Sequence, residues 1–457
     1  MNNKEVNSLN SLVPDCLSAA ADGIELVLSR FEKNRNYPFI DTKLSTITGE
    51  DFVEPEDLEA DFFGRTAIFG WIQGRGLEAL AGHADFFKDK PALTARFKRM
   101  LSSVAAQTSA FKKKNGHFVF LAAPDGRPFK CGEDGRREYI QAKSVPPGFA
   151  DLFTGKGLAA AGVALGNKEF TEQGVATFRF ATSAVLDEKF ESDQISFDPK
   201  NPAVPVPGRF GQGHYMIGLG GYALYSELFP GADEWIDGGS LFLRKLIDLH
   251  ILKKDKRSLK RFDFVEFINE DGLPWLENGK VLQDPGHALE FTGLAAKFLL
   301  NASGKVSGAK EFKELYAECT ELLPEVFLAA FENGFQKKTG GICKTFDLVS
   351  RTPVNGDMPW WSLPESLRAA GLLLCLAPNH PRYQEIIAAA FACKEALFGP
   401  FRSPVAGLFI QTRDAQGNPS TAIPATPDAD PGYHTGLCFI DFIKACRRLQ
   451  DKRFNSN

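Results

Sequence analysis

Apolar residues recur along most of the chain at intervals of three and four, the period of helices with one buried face. The pattern predicts twelve helical segments, near residues 12–34, 65–84, 91–112, 149–165, 168–187, 212–228, 235–253, 285–302, 309–333, 360–377, 382–397 and 432–450. Strand signals are confined to two short stretches. His117-Phe118-Val119-Phe120-Leu121 runs into Pro124-Asp125-Gly126, and Gly407-Leu408-Phe409-Ile410 runs into Asp414-Ala415-Gln416-Gly417. Both predict a short strand and turn, read as a hairpin inserted in a loop.

Twelve helices joined by long connections carrying proline and glycine predict an all-α fold, six helical hairpins closed into an (α/α) barrel. The second helix of each pair would face inward, so the inner set begins near 65, 149, 212, 285, 360 and 432. The best candidate for a linker, residues 198–208 with prolines at 199, 202, 205 and 207, reads instead as a stiff loop that walls one side of a pocket. The expectation is one domain over residues 1–457.

Composition supports a thick apolar interior: 44% of residues are hydrophobic, and 40 are Phe against only 8 Tyr. The net charge of −4, from 53 basic and 57 acidic residues, builds no field for nucleic acid or an anionic membrane. A small-molecule partner is the remaining class. Eight cysteines show neither a CxxC pair nor a zinc-type spacing with histidine and read as small buried hydrophobes. The polar N-terminus lacks the apolar core of a signal peptide, and no apolar run approaches the ~20 residues of a membrane span. A reducing cytoplasm is expected, with no metal and no cofactor.

Candidate chemistry sits at the predicted inner-helix entries. Gly211-Gln212-Gly213-His214, Asp284-Pro285-Gly286-His287 and Asp430-Pro431-Gly432-Tyr433-His434 each deliver a histidine, and Pro359-Trp360-Trp361 delivers an indole. His214, His287, Trp361 and His434 follow one another at 73, 74 and 73 positions, as repeated hairpins projecting one side chain each from the same end would require. Asp284 suits a helix cap and Pro285 the first helical position, which places His287 and Glu290 three apart on one face. A carboxylate beside an imidazole sets its tautomer and raises its pKa, while a helix N-terminus lowers it, so such a histidine is tunable for proton transfer. The bland alternative is an ordinary capping histidine. Trp361 with Glu365 four residues on offers an aromatic face and a carboxylate to a sugar, or else a tandem of core tryptophans. Trp71-Ile72-Gln73-Gly74-Arg75 places an arginine on the first inner helix, where it either meets a strongly polar ligand or pairs with Glu78. His83, His117, His250 and His380 lie in ordinary helix-end or loop contexts. The glycines around Lys156 and in Ile217-Gly218-Leu219-Gly220-Gly221 read as close helix packing.

Together these segments resemble the N-acylglucosamine 2-epimerase superfamily over residues 65 to 445. The family's Pro-Gly-His-x-x-Glu element is similar to Pro285-Gly286-His287 with Glu290. Its Trp-Trp-x-x-x-Glu element is similar to Trp360-Trp361 with Glu365, and its last histidine helix to Tyr433-His434-Thr435-Gly436. The resemblance implies a six-hairpin barrel and a sugar epimerase or aldose–ketose isomerase. His287 and His434 would be the acid/base pair and Arg75 the group that polarises the substrate oxygen. His214, Glu290, Trp361, Glu365 and Trp71 would bind substrate, and a homodimer is implied. The rival readings are a glycoside hydrolase drawing paired carboxylates from Glu78, Glu290 and Glu365, and a sugar-binding protein without chemistry.

Overall fold

Helices with an apolar stripe must be covered on one side, and helices apolar all round must be covered on every side. The chain alternates the two kinds. The computed structural model describes residue 1 and residues 3–53, 62–192, 206–256, 258–303, 310–423 and 426–454. Its helices are α1 (Asn3–Asn10), α2 (Val13–Lys33), α3 (Gly70–Phe86), α4 (Pro91–Asn115), α5 (Phe149–Leu165), α6 (Lys168–Leu186), α7 (Gly213–Leu228), α8 (Asp233–His250), α9 (Pro285–Ala302), α10 (Lys310–Gly334), α11 (Ser362–Leu376), α12 (Tyr383–Phe398) and α13 (Cys438–Phe454). From α2 onward they fall on the twelve expected segments. The short α1 was not expected; Val6 and Leu9 alone bury its inner face.

The odd-numbered helices from α3 form the inner ring: α3 packs on α5, α5 on α7, α7 on α9, α9 on α11 and α11 on α13. A π-helical turn at Tyr433–Leu437, leading into α13, packs back on α3 and closes the circle. Every residue of α11 is buried. The outer helices carry a single stripe, as in α2, whose buried side runs Cys16, Ala19, Ala20, Gly23, Ile24, Val27 and Leu28. Glycines set the spacing of inner neighbours. A Cβ on Gly157 of α5 would lie 2.3 Å from the Gly74 carbonyl oxygen of α3, and between inner and outer rings one on Gly218 of α7 would lie 2.4 Å from the Phe242 ring of α8.

The strands do more than cap loops. β1 (Ile68–Phe69), β5 (Phe210–Gly211), β7 (Leu282–Gln283) and β10 (Met358–Pro359) immediately precede or lead into α3, α7, α9 and α11. Each pairs antiparallel with a strand from the connection to the next inner helix: β2 (Leu121–Ala122), β6 (Phe267–Ile268), β8 (Thr345–Asp347) and β11 (Thr412–Arg413) respectively. Only β3 (Phe129–Cys131) with β4 (Arg137–Tyr139), and β8 with β9 (Thr352–Asn355), are local hairpins between named strands. The two strand signals therefore need correcting. Pairing falls at Leu121–Ala122, at the end of the first apolar run, and at Thr412–Arg413, two residues beyond the second, because each strand pairs with a distant helix entry as well as across its adjacent turn. The turns that follow repeat: Ala122 bridges Pro128, Ile268 bridges Pro274 and Arg413 bridges Pro419, around Gly126, Gly272 and Gly417 at φ between +70° and +89°. Of the proline-rich loop at 198–208, residues 198–205 lie outside the described residues.

Gly157→Ala should destabilise the fold by about 1–3 kcal/mol, the cost of overpacking two backbones that cannot separate. A chemical-denaturation midpoint equal to wild type would show that the α3–α5 contact yields freely.

Candidate active site

The entries of the inner helices open onto one cavity of about 790 Å³. Arg75, Trp71, His214, His287, Glu290, Trp361 and His434 all line it, so the regular spacing in sequence corresponds to one end of the ring. Glu365 does not reach the wall; it is fully buried behind His434. Val206, Pro207 and Gly208, from the end of the proline-rich loop, also line the cavity.

Asp284 caps α9 as its sequence requires, accepting from the amides of Gly286 at 2.9 Å and His287 at 3.3 Å. Its second oxygen takes Lys344 Nζ at 2.6 Å and lies 3.4 Å from His287 Nδ1. Glu290 is not the partner that His287 finds. Nδ1 lies 3.0 Å from Glu266 Oε1, a carboxylate also reached by Gln212, while Glu290 points deeper, beside His434 and Glu365. Burial alone would lower the pKa of His287, but the carboxylates of Asp284 and Glu266 outweigh it and raise the value to about 9. The imidazole stacks on Trp361 with centroids 5.4 Å apart.

The last entry has one residue more between its aspartate and its histidine than the entry to α9. The π-helical turn absorbs that residue. Gly432 takes φ +87° and Asp430 accepts from the amides of Tyr433, His434 and Thr435 at 2.9, 3.2 and 2.8 Å. His434 thus still faces the cavity. Its Nδ1 meets Glu365 Oε1 at 2.9 Å, and Glu365 is in turn ion-paired to buried Arg368. With its carboxylate partner engaged by a cation, His434 is governed by burial and then by the nearby Arg75, which push its pKa down to about 4. Trp361 also lies beside this ring, at 5.7 Å.

Arg75 does not pair with Glu78, which is taken by Lys156 at 3.1 Å. Its guanidinium sits 4.3 Å from the Phe153 ring, 5.4 Å from Trp71 and 5.5 Å from Tyr433, and its buried Nε has no hydrogen-bond partner among the described residues. A cation seated on aromatic faces, with Glu290 and Asp430 nearby but no salt bridge to either among the described residues, is available to an oxygen that gains charge. His214 packs against Phe190 and Tyr215, and burial lowers its pKa to about 4, so it is neutral. Glu290, with a carboxyl that burial raises, Glu365 and His434 place one ligand atom each within 4.8 Å of one another. Arg368 and Arg75 beside that group oppose a metal ion there.

His83 and His250 are buried and bonded to backbone carbonyls, and His117 bonds Asp151 and the Ala142 carbonyl, as their ordinary contexts suggested. Among the cavity residues that escaped the sequence reading are Glu266, Lys344 and Gln411. A signal for them exists in the repeated loops. The carbonyls of Phe120, Glu266 and Gln411 accept from Gly70, Gln212 and Trp360 at the matching helix entries. Each lies two residues before the strand position that bridges a proline. Lys344 stands next to a β-bulge in the fourth such strand. Glu266, Gln411 and Lys344 all line the cavity.

An α/α barrel with titrating groups gathered at one end defines the class. The same fold is found in a D-mannose isomerase (TM-score 0.62, 15% identity, 92% of this chain and 97% of the other). It recurs in a cellobiose 2-epimerase from Bacillus thermoamylovorans B4167 (0.61, 11%, 92% and 99%) and in a sugar epimerase from a ruminal bacterium (0.63, 12%, 96% and 98%). No curated protein matches in sequence. The family model for N-acylglucosamine 2-epimerase (GlcNAc 2-epimerase) matches residues 162–438. The chain belongs to that family and is a carbohydrate isomerase.

Replacing Glu266 by Gln should lower the His287 pKa from about 9, because the largest lever after Asp284 is removed. Imidazole NMR titration reads this directly. A His287 resonance already titrating near 6.5 in the unmodified protein would contradict the assigned environment.

Proposed function

We propose that the protein moves a proton at C2 of an open-chain sugar, with His434 and His287 as base and acid and Arg75 holding the oxygen on which charge develops. The observation that carries the reading is the opposition of the two imidazoles in one cavity. At neutral pH His434 is uncharged, with Nδ1 held by Glu365 and Nε2 left to accept a proton. His287 is protonated, with Nδ1 held by Glu266 and Nε2–H left to donate. Groups whose environments push their pKa values apart divide into base and acid.

In the forward step His434 removes the C2 proton and the carbonyl oxygen becomes an enediolate oxygen facing the Arg75 guanidinium. If His287 returns a proton to the other face of C2, the product is the C2 epimer. If one histidine carries the proton to C1 instead, the product is a ketose. Two histidines with opposed protonation support the first outcome. Trp361, lying between both rings, offers a flat face to the sugar, and Trp71 and His214 complete the wall. N-acylhexosamines head the list of substrates because that is the activity of the matched family model. A homodimer and a cytoplasmic setting belong to the same reading; no disulfide joins the eight cysteines, and no described helix is long and apolar enough to cross a membrane.

The hydrolase alternative is not favoured. Glu78 is neutralised by Lys156 and Glu365 is engaged by Arg368 and His434, which leaves Glu290 without a second free carboxyl from the candidate set.

Proton NMR in deuterated water, with aldoses, ketoses and N-acetylhexosamines, should show deuterium entering C2 of one sugar. His287→Ala and His434→Ala should each slow exchange by ~10²–10⁴-fold. Undiminished exchange in either variant would remove that histidine from the chemistry, and oligosaccharide cleavage without exchange would point to a hydrolase.

A further inference from the structure

One helical turn deeper than Arg75, about 4.5 Å along the axis, α3 presents Glu78, and one turn deeper than Phe153, α5 presents Lys156. The two form an ion pair at 3.1 Å in the middle of the ring, with Lys156 only 1% exposed. Lys156 Nζ also donates to Tyr433 Oη at 2.9 Å. Tyr433 is the first residue of the π-helical turn, and its ring is one of the three faces on which the Arg75 guanidinium rests. Two aromatic rings, Phe153 and Tyr433, are thereby shared between two buried cations. Lys156 lies 5.6 and 5.2 Å from their centroids, and Arg75 lies 4.3 and 5.5 Å.

Stability does not account for this layer. A buried ion pair is often no better than a well-packed apolar pair of the same volume, and here a further buried cation, Arg368, opposes Lys156. What the pair does that leucine or methionine would not is fix one hydroxyl. Among the described residues the Tyr433 hydroxyl has no other hydrogen-bond partner, in a turn that carries one residue too many for an α-helix.

On the reading that Arg75 and His434 act on a sugar, we propose that Lys156, held by Glu78, is a positioning residue: by anchoring Tyr433 it sets both the seat of the Arg75 guanidinium and the direction of His434. Lys156 touches no substrate. It acts through a single hydrogen bond on two groups that must converge on adjacent atoms, and a misplacement of that kind is costly to the chemical step while leaving ground-state binding largely intact.

The test is steady-state C2 deuterium exchange by the full-length protein on whichever sugar the wild type exchanges. Tyr433→Phe removes only the hydroxyl and should lower kcat by about tenfold or more, with KM and the melting temperature close to wild type. Lys156→Met combined with Glu78→Gln removes the pair without stranding a charge, and should lower kcat by a similar factor. Adding Tyr433→Phe to it should cost nothing further, since all three changes break one link. Lys156→Arg, which keeps both contacts, should restore most of the rate. Full kcat in Tyr433→Phe overturns the inference, as do losses that multiply in the combined variant. Should the pair-removed variant fail to fold, Tyr433→Phe decides alone. If the wild type exchanges no sugar, the isomerase reading falls and takes this inference with it; exchange in the wild type matched by Tyr433→Phe overturns the positioning role only.

Discussion

Closure of the inner ring is the constraint on which the site depends. Six helices can converge on one cavity only if each entry is held at the same height, and a two-residue strand pair does this at four of the six. The strand before one inner helix is bonded to the loop that leads to the next, so neighbouring entries are tied before any side chain is considered. At the seam the tie is different in kind. Ala429 donates to the Thr42 carbonyl, and the buried Lys43–Asp428 pair, at 2.7 Å, joins the first loop to the last. Breaking such a pair on one side leaves an uncompensated charge. The seam is also where the π-helical turn lies, next to the residue most sensitive to placement, His434.

Within the closed ring, carboxylates decide the protonation of the imidazoles. His434 is buried and His287 is partly exposed, yet each ring Nδ1 bonds a carboxylate at nearly the same distance, 3.0 Å for His287 and 2.9 Å for His434. They part because of what surrounds that partner. Glu266 is joined by Asp284, so negative charge accumulates at His287; Glu365 is ion-paired to Arg368, and Arg75 stands close by, so positive charge accumulates at His434. A symmetrical motif in sequence becomes an asymmetrical pair in space, which is what a reaction needing a base and an acid at once requires.

Much of this was legible in the chain. The three-and-four spacing of apolar residues is a local property; it revealed the twelve helices, and taking the second of each successive pair gave the inner set. The Asp-Pro-Gly entries revealed caps and histidines because a cap is read from three or four adjacent residues. What was not legible is long-range. Glu266 and Lys344 sit in loops of no helical period, and their presence in the cavity depends on strands that pair across a whole hairpin. The Glu290 side chain, three residues from His287, was expected as its partner because spacing shows a shared face but not how deep a side chain points. Glu365 was expected at a sugar hydroxyl, whereas the complete burial of α11 sends it behind His434. The extra residue at Tyr433 was visible as an irregularity in a repeat; that a π-helical turn absorbs it required the structure.

The measurement that tests the account most directly is the pH dependence of kcat/KM for C2 exchange in the free enzyme. His434 must be neutral to take the proton, so activity is lost as pH falls through about 4; His287 must be protonated to give one, so activity is lost as pH rises through about 9. The account predicts a broad plateau between those limits, with the alkaline limb moved to lower pH by Glu266→Gln. A narrow bell centred near 6.5 with both limbs unmoved by that substitution would contradict it, since it would mean two histidines at their ordinary values and no electrostatic division between them.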